Sequence, residues 1–252
     1  MGYFSSSPSA PSYVGNLFKT KSFSLLSLPE KLSLLLMFSL VSIGVISAYA
    51  DKEWFEDVYT VEDGLIEWLT VLPLAVVSIA CLVRIIYRRG SLSGKMIAST
   101  VFIALFSLFA LGEEISWGQR IFNIQSSSFF KTYNAQQEMN LHNMVVDGVK
   151  VNKLIFSQLL TVAIAFYLLV FPWLYRKKQW VRSLANSWAV PVPRVYQIIS
   201  FLLLFVLIGL CPSGKNAELL ELGATTLFCL IILYPFNPIG SVSPEPEQVS
   251  AE

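Results

Sequence analysis

The sequence predicts an all-α fold: a polytopic membrane helix bundle with about six transmembrane helices. Three observations predict it. Of the 252 residues, 54% are hydrophobic and only 14% are charged, whereas a soluble domain carries about 25% charge. The charges are clustered between long apolar runs. Those runs are rich in Leu, Ile, Val and Phe and do not alternate with polar residues, which argues against an outer-membrane barrel.

The chain divides into three parts. Residues 1–31 open with Ser5-Ser6-Ser7-Pro8-Ser9-Ala10-Pro11 and form an N-terminal tail. Within it, Leu17 to Leu28 mixes Phe18, Phe23, Leu25 and Leu26 with Lys19 and Lys21, the pattern of a short interfacial helix. Residues 32–234 form the transmembrane domain. The expected spans are Leu32 to Ala50, Gly64 to Tyr87, Lys95 to Leu111, Lys153 to Tyr175, Val195 to Leu210 and Ala217 to Leu233. Each offers roughly 17–24 residues, the length that a hydrocarbon core of ~30 Å demands at 1.5 Å rise. Residues 235–252 begin Pro235-Phe236-Asn237-Pro238, which stops the last helix and reads as a disordered tail.

Charge sets the orientation. Twelve of the 18 basic residues fall in one alternating set of loops. They run from Lys19, Lys21 and Lys31, through Arg84, Arg88, Arg89 and Lys95, to Arg176, Lys177, Lys178, Arg182 and Arg194. Lys52, Arg120, Lys131, Lys150, Lys153 and Lys215 occupy the other set. The positive-inside rule then places both termini in the cytoplasm. Trp54, Trp68, Trp117, Trp173 and Trp180 lie near span ends, as an aromatic belt does. The net charge of +1 gives no reason to expect nucleic acid as a partner. Cys81, Cys211 and Cys229 form no Cys-x-x-Cys pair, so neither a redox nor a zinc motif is expected.

The acids fall on the opposite side from the bases. Asp51, Glu53, Glu56, Asp57, Glu62, Asp63, Glu67, Glu113, Glu114, Glu138, Asp147, Glu218 and Glu221 all belong to the extracytoplasmic set. Glu67, Glu113, Glu114 and Glu221 are flanked by apolar helix, where a carboxylate costs several kcal/mol and is kept for a reason. The loop from Ile121 to Asn152 is the longest between spans, and loops above ~12–15 residues are functional or disordered. It carries Phe129, Phe130, Tyr133, Met139, Leu141 and Met144, too apolar for simple disorder. The expectation is a partly helical extracytoplasmic loop, helical over about Ala135 to Val146, that caps the outer face.

Two constellations carry the candidate chemistry. Continued helical spacing would place Glu113, Ser116, Trp117 and Arg120 on one face, with Glu114 about 100° away. In the loop, a helix would align Glu138 with His142, the chain's one histidine and its natural general acid or base. The expected catalytic set is Glu113, Glu114, Arg120 and His142. A substrate-binding or structural set of Glu67, Trp117, Gln119, Glu138, Asn140, Asn143, Glu218 and Glu221 surrounds it. No metal is expected, because Glu-x-x-x-His lacks the Glu-x-x-His pairs of di-iron bundles and the several histidines of zinc hydrolases. No cofactor is indicated.

The pair Gly112-Glu113-Glu114-Ile115-Ser116-Trp117-Gly118-Gln119-Arg120 and Asn140-Leu141-His142-Asn143 resembles a family of uncharacterised bacterial multi-pass inner-membrane proteins. Glu62-Asp63-Gly64-x-x-Glu67-Trp68 and Asn216-x-Glu218-x-x-Glu221 support the resemblance, which spans residues 62 to 221 loosely. It implies a bacterial inner-membrane location and no particular activity. Three functions compete. One is an enzyme acting on a lipid-linked or envelope substrate, with Arg120 as anion anchor. The second is an assembly or accessory subunit, partnered by another membrane subunit, whose polar cluster is structural. The third is a transporter of a small solute, ion or proton. In every case the lipid bilayer is a partner.

Overall fold

The computed structural model of the chain describes residues 26–61, 63–141, 143–146, 149–150 and 160–237. The expected interfacial helix at Leu17 to Leu28 begins outside the described residues. So do the first residues of the expected fourth span.

Among the described residues, the regular structure is helical apart from one small hairpin, in which β1 (Val145–Val146) pairs antiparallel with β2 (Val149–Lys150). Among the described residues, four helices are long and apolar enough to cross a membrane: α1 (Leu28–Ala50), α3 (Leu65–Arg88, extended to Ser91 by a 3-10 turn), α4 (Gly94–Glu114) and α10 (Asn216–Leu233). α9 (Val195–Gly209) is apolar but has 15 residues. Leu160 to Lys177 is helical throughout, as α6 (Leu160–Ala165), a π turn (Phe166–Val170) and α7 (Phe171–Lys177), and is followed by α8 (Gln179–Ser187). On the acidic side, α2 (Lys52–Trp54) runs into a π turn at Phe55–Tyr59.

α1 starts before the apolar run because Ser27 and Glu30 form a capping box. The Ser27 amide donates to the Glu30 carboxylate at 2.8 Å, and Pro29 takes an early helical position where no N–H is needed. From there Leu34, Met37, Val41, Val45 and Ala48 recur every three or four residues and are buried. They meet Leu204 and Ile208 of α9 and Leu219, Leu227 and Leu230 of α10. The other face of α10 brings Cys229 and Ile232 against Val77 and Cys81 of α3 and Ala104 of α4. α10 is therefore the helix on which both halves pack. The outward faces stay apolar and exposed, as Leu35, Ile43, Ile46, Phe102, Leu105 and Phe205 show. That inverted pattern suits lipid, not water.

Lipid tails are as apolar as leucine, so such helices associate through close packing and polar contacts. Gly44 lies where α1 meets Leu219 of α10 and the Tyr59 ring. Gly223 lies where α10 meets α9, and a Cβ there would stand 2.3 Å from a Leu204 methyl. On the acidic side, the Ser213 hydroxyl donates to Glu56 at 2.6 Å and the Lys215 ammonium to the Glu56 carbonyl. The Ser213 bond holds the Glu56 carboxyl below the ordinary glutamate range. Burial pushes the Tyr59 hydroxyl up to about 12, and it donates to the Leu40 carbonyl at 2.7 Å.

The start of the C-terminal tail differs from expectation. Asn237 is buried and accepts the Val192 amide at 2.9 Å, and the Phe236 amide donates to the Val192 carbonyl. Phe236 also lies under the Arg176 guanidinium and against Tyr175. These partners, absent from the local sequence, order residues 235–237; the rest of the tail lies outside the described residues.

Gly223→Leu should destabilise the bundle by roughly 1–3 kcal/mol, the usual cost of overpacking. Gly209→Ala, where a Cβ meets nothing within 4 Å, should change the thermal midpoint little. Unfolding in detergent, followed by circular dichroism, compares the two.

Candidate functional site

The helix carrying the first motif ends earlier than continued helical spacing predicts. α4 stops at Glu114, and Ser116, Trp117 and Gly118 all take positive φ, at 46°, 54° and 76°. Two of these three are not glycine, and each costs about 1–2 kcal/mol in the left-handed region. The reversal turns Ser116 inward, where it is fully buried, and leaves Trp117 half-exposed. Glu113, Ser116, Trp117 and Arg120 therefore do not share a helix face. A Cβ on Gly112 would meet the folded-back Trp117 ring at 2.9 Å, so only glycine fits beneath it.

The loop also departs from the expected helix. α5 (Ser128–Tyr133) is helical, but none of the described residues from Ala135 to Val146 is. Side chains take the place of backbone acceptors. The Asn134 amide oxygen accepts the N–H groups of Gln136 and Glu138, and the Asn140 oxygen accepts that of Asn143. Such local bonds compete with a helix and win here. His142 lies outside the described residues.

A dense polar network joins the two motifs. The Ser116 hydroxyl donates to Glu138 Oε2 at 2.6 Å and accepts from Asn140 Nδ2 at 2.9 Å. Asn140, 1% exposed, also receives the Asn134 amide on its side-chain oxygen at 2.8 Å. Gln119 accepts the Met139 amide at 2.7 Å and donates to Ser126 at 2.6 Å; the Ser126 hydroxyl in turn donates to the Gln137 carbonyl. Glu113, 5% exposed, receives the Trp117 indole N–H at 2.9 Å and the Leu141 amide at 2.6 Å.

Arg120 closes the network ionically. One terminal nitrogen lies 2.7 Å from Asp63 and 3.1 Å from Glu138, and the other lies 3.3 Å from Glu67. Asp63 and Glu67 are themselves linked, because the Asp63 amide donates to Glu67 at 2.7 Å. Arg120 Nε is buried without a hydrogen-bond partner among the described residues.

Beneath this network lies a small cleft of about 110 Å³. Glu67 of α3, Glu114 of α4, Glu218 and Glu221 of α10, and Glu138 of the loop line it, with Arg120, Gln136, Asn140 and Asn143. Eight of the expected site residues thus surround one space: Glu67, Glu114, Arg120, Glu138, Asn140, Asn143, Glu218 and Glu221. Glu113, Trp117 and Gln119 do not line it; their described partners are Leu141, Glu113, Met139 and Ser126. Among the described residues, no group of three His, Cys, Asp or Glu side chains is placed to hold a metal ion.

The sequence reading missed Asp63, Ser126 and Asn134 as parts of the site. It also missed a second polar cluster at the opposite end. There Glu30, 2% exposed, receives the Tyr196 hydroxyl at 2.5 Å and lies 3.3 Å from Arg194. Gln197, fully buried, donates to the Leu230 and Tyr234 carbonyls. The available signal was Ser27-x-x-Glu30, a capping box ahead of an apolar run.

Asn140→Ala should destabilise the loop by about 1–3 kcal/mol, because it leaves Ser116, Asn134 and Glu138 short of a buried partner. Limited proteolysis between residues 121 and 150 should speed up, whereas Thr132→Ala, on the exposed face of α5, should change neither cleavage nor thermal midpoint. No family model matches the chain, and neither a curated protein nor a solved structure is similar to it.

Proposed function

We propose that the chain is a multi-pass membrane protein that binds a cationic group in an acidic cleft at its extracytoplasmic face. In this reading it has six spans, both termini in the cytoplasm and a bacterial inner-membrane location, and the Gln119–Val146 region roofs the cleft. The ligand is a polyamine or the ammonium of a larger molecule, reaching the cleft from the outer side or from the lipid.

The observation that carries the reading is the charge imbalance of the cleft. Five glutamates line it with one arginine, and that arginine already meets Asp63, Glu67 and Glu138. Among the described residues, no second basic side chain lines the cleft. Like charges gathered at low dielectric repel strongly, and a bound cation relieves that cost. The same geometry weighs against the enzyme reading in which Arg120 anchors a phosphate. Both of its terminal nitrogens meet carboxylates, and an incoming anion would be repelled by the remainder.

The accessory-subunit reading draws on a different observation. Ser116, Gln119, Asn134 and Asn140 hydrogen-bond one another and the loop backbone. Their role is to hold the loop on the bundle, which makes that part of the site a scaffold.

Two experiments test these statements. A reporter fused after Ser127 should read as extracytoplasmic; a cytoplasmic reading would overturn the topology. For the cleft, thermal unfolding of the purified chain should be followed with added spermidine, putrescine or ethanolamine. A cation at a hundredfold over its Kd should stabilise the protein by about 2.7 kcal/mol. Glu221→Gln should abolish the response. No response to any of the three cations, or an undiminished response in Glu221→Gln, would sink the cation reading.

A further inference from the structure

The end of the molecule opposite the cleft carries a surface that the proposed function does not use. α8 follows α7 after a single extended residue, Lys178. It buries one narrow face, Val181 and Ala185, against Tyr175 and Val192. Beside that face runs a second apolar stripe, Trp180, Leu184 and Trp188, spaced one turn apart and exposed. Trp180 is 68% exposed and Leu184 is 53% exposed. Gln179, Arg182, Ser183 and Ser187 occupy the remaining side. The helix thus has a core edge, an apolar edge and a polar edge, the cross-section of a helix lying in a membrane interface.

The charge around it is of one sign. Arg176, Lys177, Lys178 and Arg182 surround the α7–α8 corner, and none pairs with a carboxylate among the described residues. None is close in sequence either, since the chain has no acidic residue between Asp147 and Glu218. Arg176 is fixed over the Phe236 ring, and Arg182 donates to the Tyr175 and Arg176 carbonyls. The two guanidinium groups are therefore held at the corner, with the Lys177 and Lys178 side chains exposed beside them.

We propose that the α7–α8 corner binds anionic phospholipid headgroups, with α8 lying in the interfacial plane. Trp180 and Leu184 enter the acyl boundary, and the lysines meet the phosphates. Exposed tryptophan and leucine beside unpaired cations match a surface that is apolar below and negative above. A water-facing helix would match the cations alone, and an acidic protein partner would leave the stripe unexplained beside the exposed Trp173. The inference rests on the proposed six-span reading, in which α7 ends the fourth span, and not on the cleft, so failure of the cation experiment leaves it standing.

The test uses the full chain in detergent with equimolar phosphatidylglycerol and phosphatidylcholine, and native mass spectrometry counts the lipids retained. Phosphatidylglycerol should be kept preferentially. Each basic residue at such a surface contributes roughly fivefold, so Lys177→Gln with Lys178→Gln should cut the preference by an order of magnitude or more. The double Lys→Arg variant should keep it, as should Lys131→Gln in the distant loop. Equal retention of both lipids, a loss no larger than in Lys131→Gln, or displacement of the lipid by millimolar inorganic phosphate would overturn the proposal. In vesicles, brominated acyl chains should quench a fluorescence component that disappears in Trp180→Phe. Absence of that component would show Trp180 facing water or protein, and would overturn it equally.

Discussion

One guanidinium ties the loop after α4 to the entrance of α3. Arg120 brings Asp63 and Glu67, at the entrance to α3, together with Glu138, which is 18 residues further along the chain than Arg120 itself. Glu67 and Glu138 are only 13% and 12% exposed, so solvent screens them little, and neither is stable there without a counter-charge. A lysine is a point charge, whereas the planar fork of arginine can address several carboxylates at fixed angles. Glu138 then links the ionic part of the site to the neutral part. One of its oxygens meets Arg120, and the other accepts from Ser116 and Asn140. That carboxylate, together with the Glu113 bond to the Leu141 amide, ties the position of the loop to the end of α4.

The opposite end of the bundle is held in a similar way. Glu30 of α1, Arg194 at the head of α9, and Tyr196 and Gln197 within α9 form a buried cluster that also reaches the last carbonyls of α10. Between the two ends, the helices meet through apolar contacts and through the close approaches at Gly44 and Gly223. This distribution follows from the solvent. Apolar surface gains little by leaving lipid for protein, so polar contacts and tight packing carry more of the specificity than in a water-soluble bundle. α10 contributes to both ends, with Glu218 and Glu221 at the cleft and the Leu230 and Tyr234 carbonyls at the other cluster.

The helices were legible because their signal is local. Runs of Leu, Ile, Val and Phe specify helix wherever water is absent, since every backbone group must be satisfied within the segment. The cost of an isolated carboxylate in apolar surroundings groups Glu67, Glu113, Glu114 and Glu221; of these Glu67, Glu114 and Glu221 line the cleft, joined by Glu218, and Glu113 does not. The local conformation of the two motifs was not legible. Ser116 and Trp117 take positive φ without being glycine, and the contacts that hold them there come from Glu138, Asn140 and Glu113. Asn134 and Asn140 replace helical hydrogen bonds with their own side chains, so a segment with helical spacing became a series of turns. In each case the deciding partner lies far along the chain or in a side-chain amide, where periodicity carries no information.

The adjacent acids at the end of α4 show how one turn of helix can serve two purposes. Side chains at consecutive helical positions diverge by about 100°. Glu113 is directed to the Trp117 indole and the Leu141 amide, and Glu114 lines the cleft. Were the helix to continue, Trp117 would lie one turn beyond Glu113 and Arg120 two turns beyond, on the same outward-running face. Stopping it at Glu114 and reversing through Ser116–Gly118 folds the indole back over Gly112, onto the carboxylate one turn behind. It also frees Arg120 to meet Asp63 and Glu67. The left-handed strain at Ser116 and Trp117 is therefore offset by the bonds it makes possible. Glu113 anchors the loop, which leaves its neighbour Glu114 to face the cleft that the loop covers.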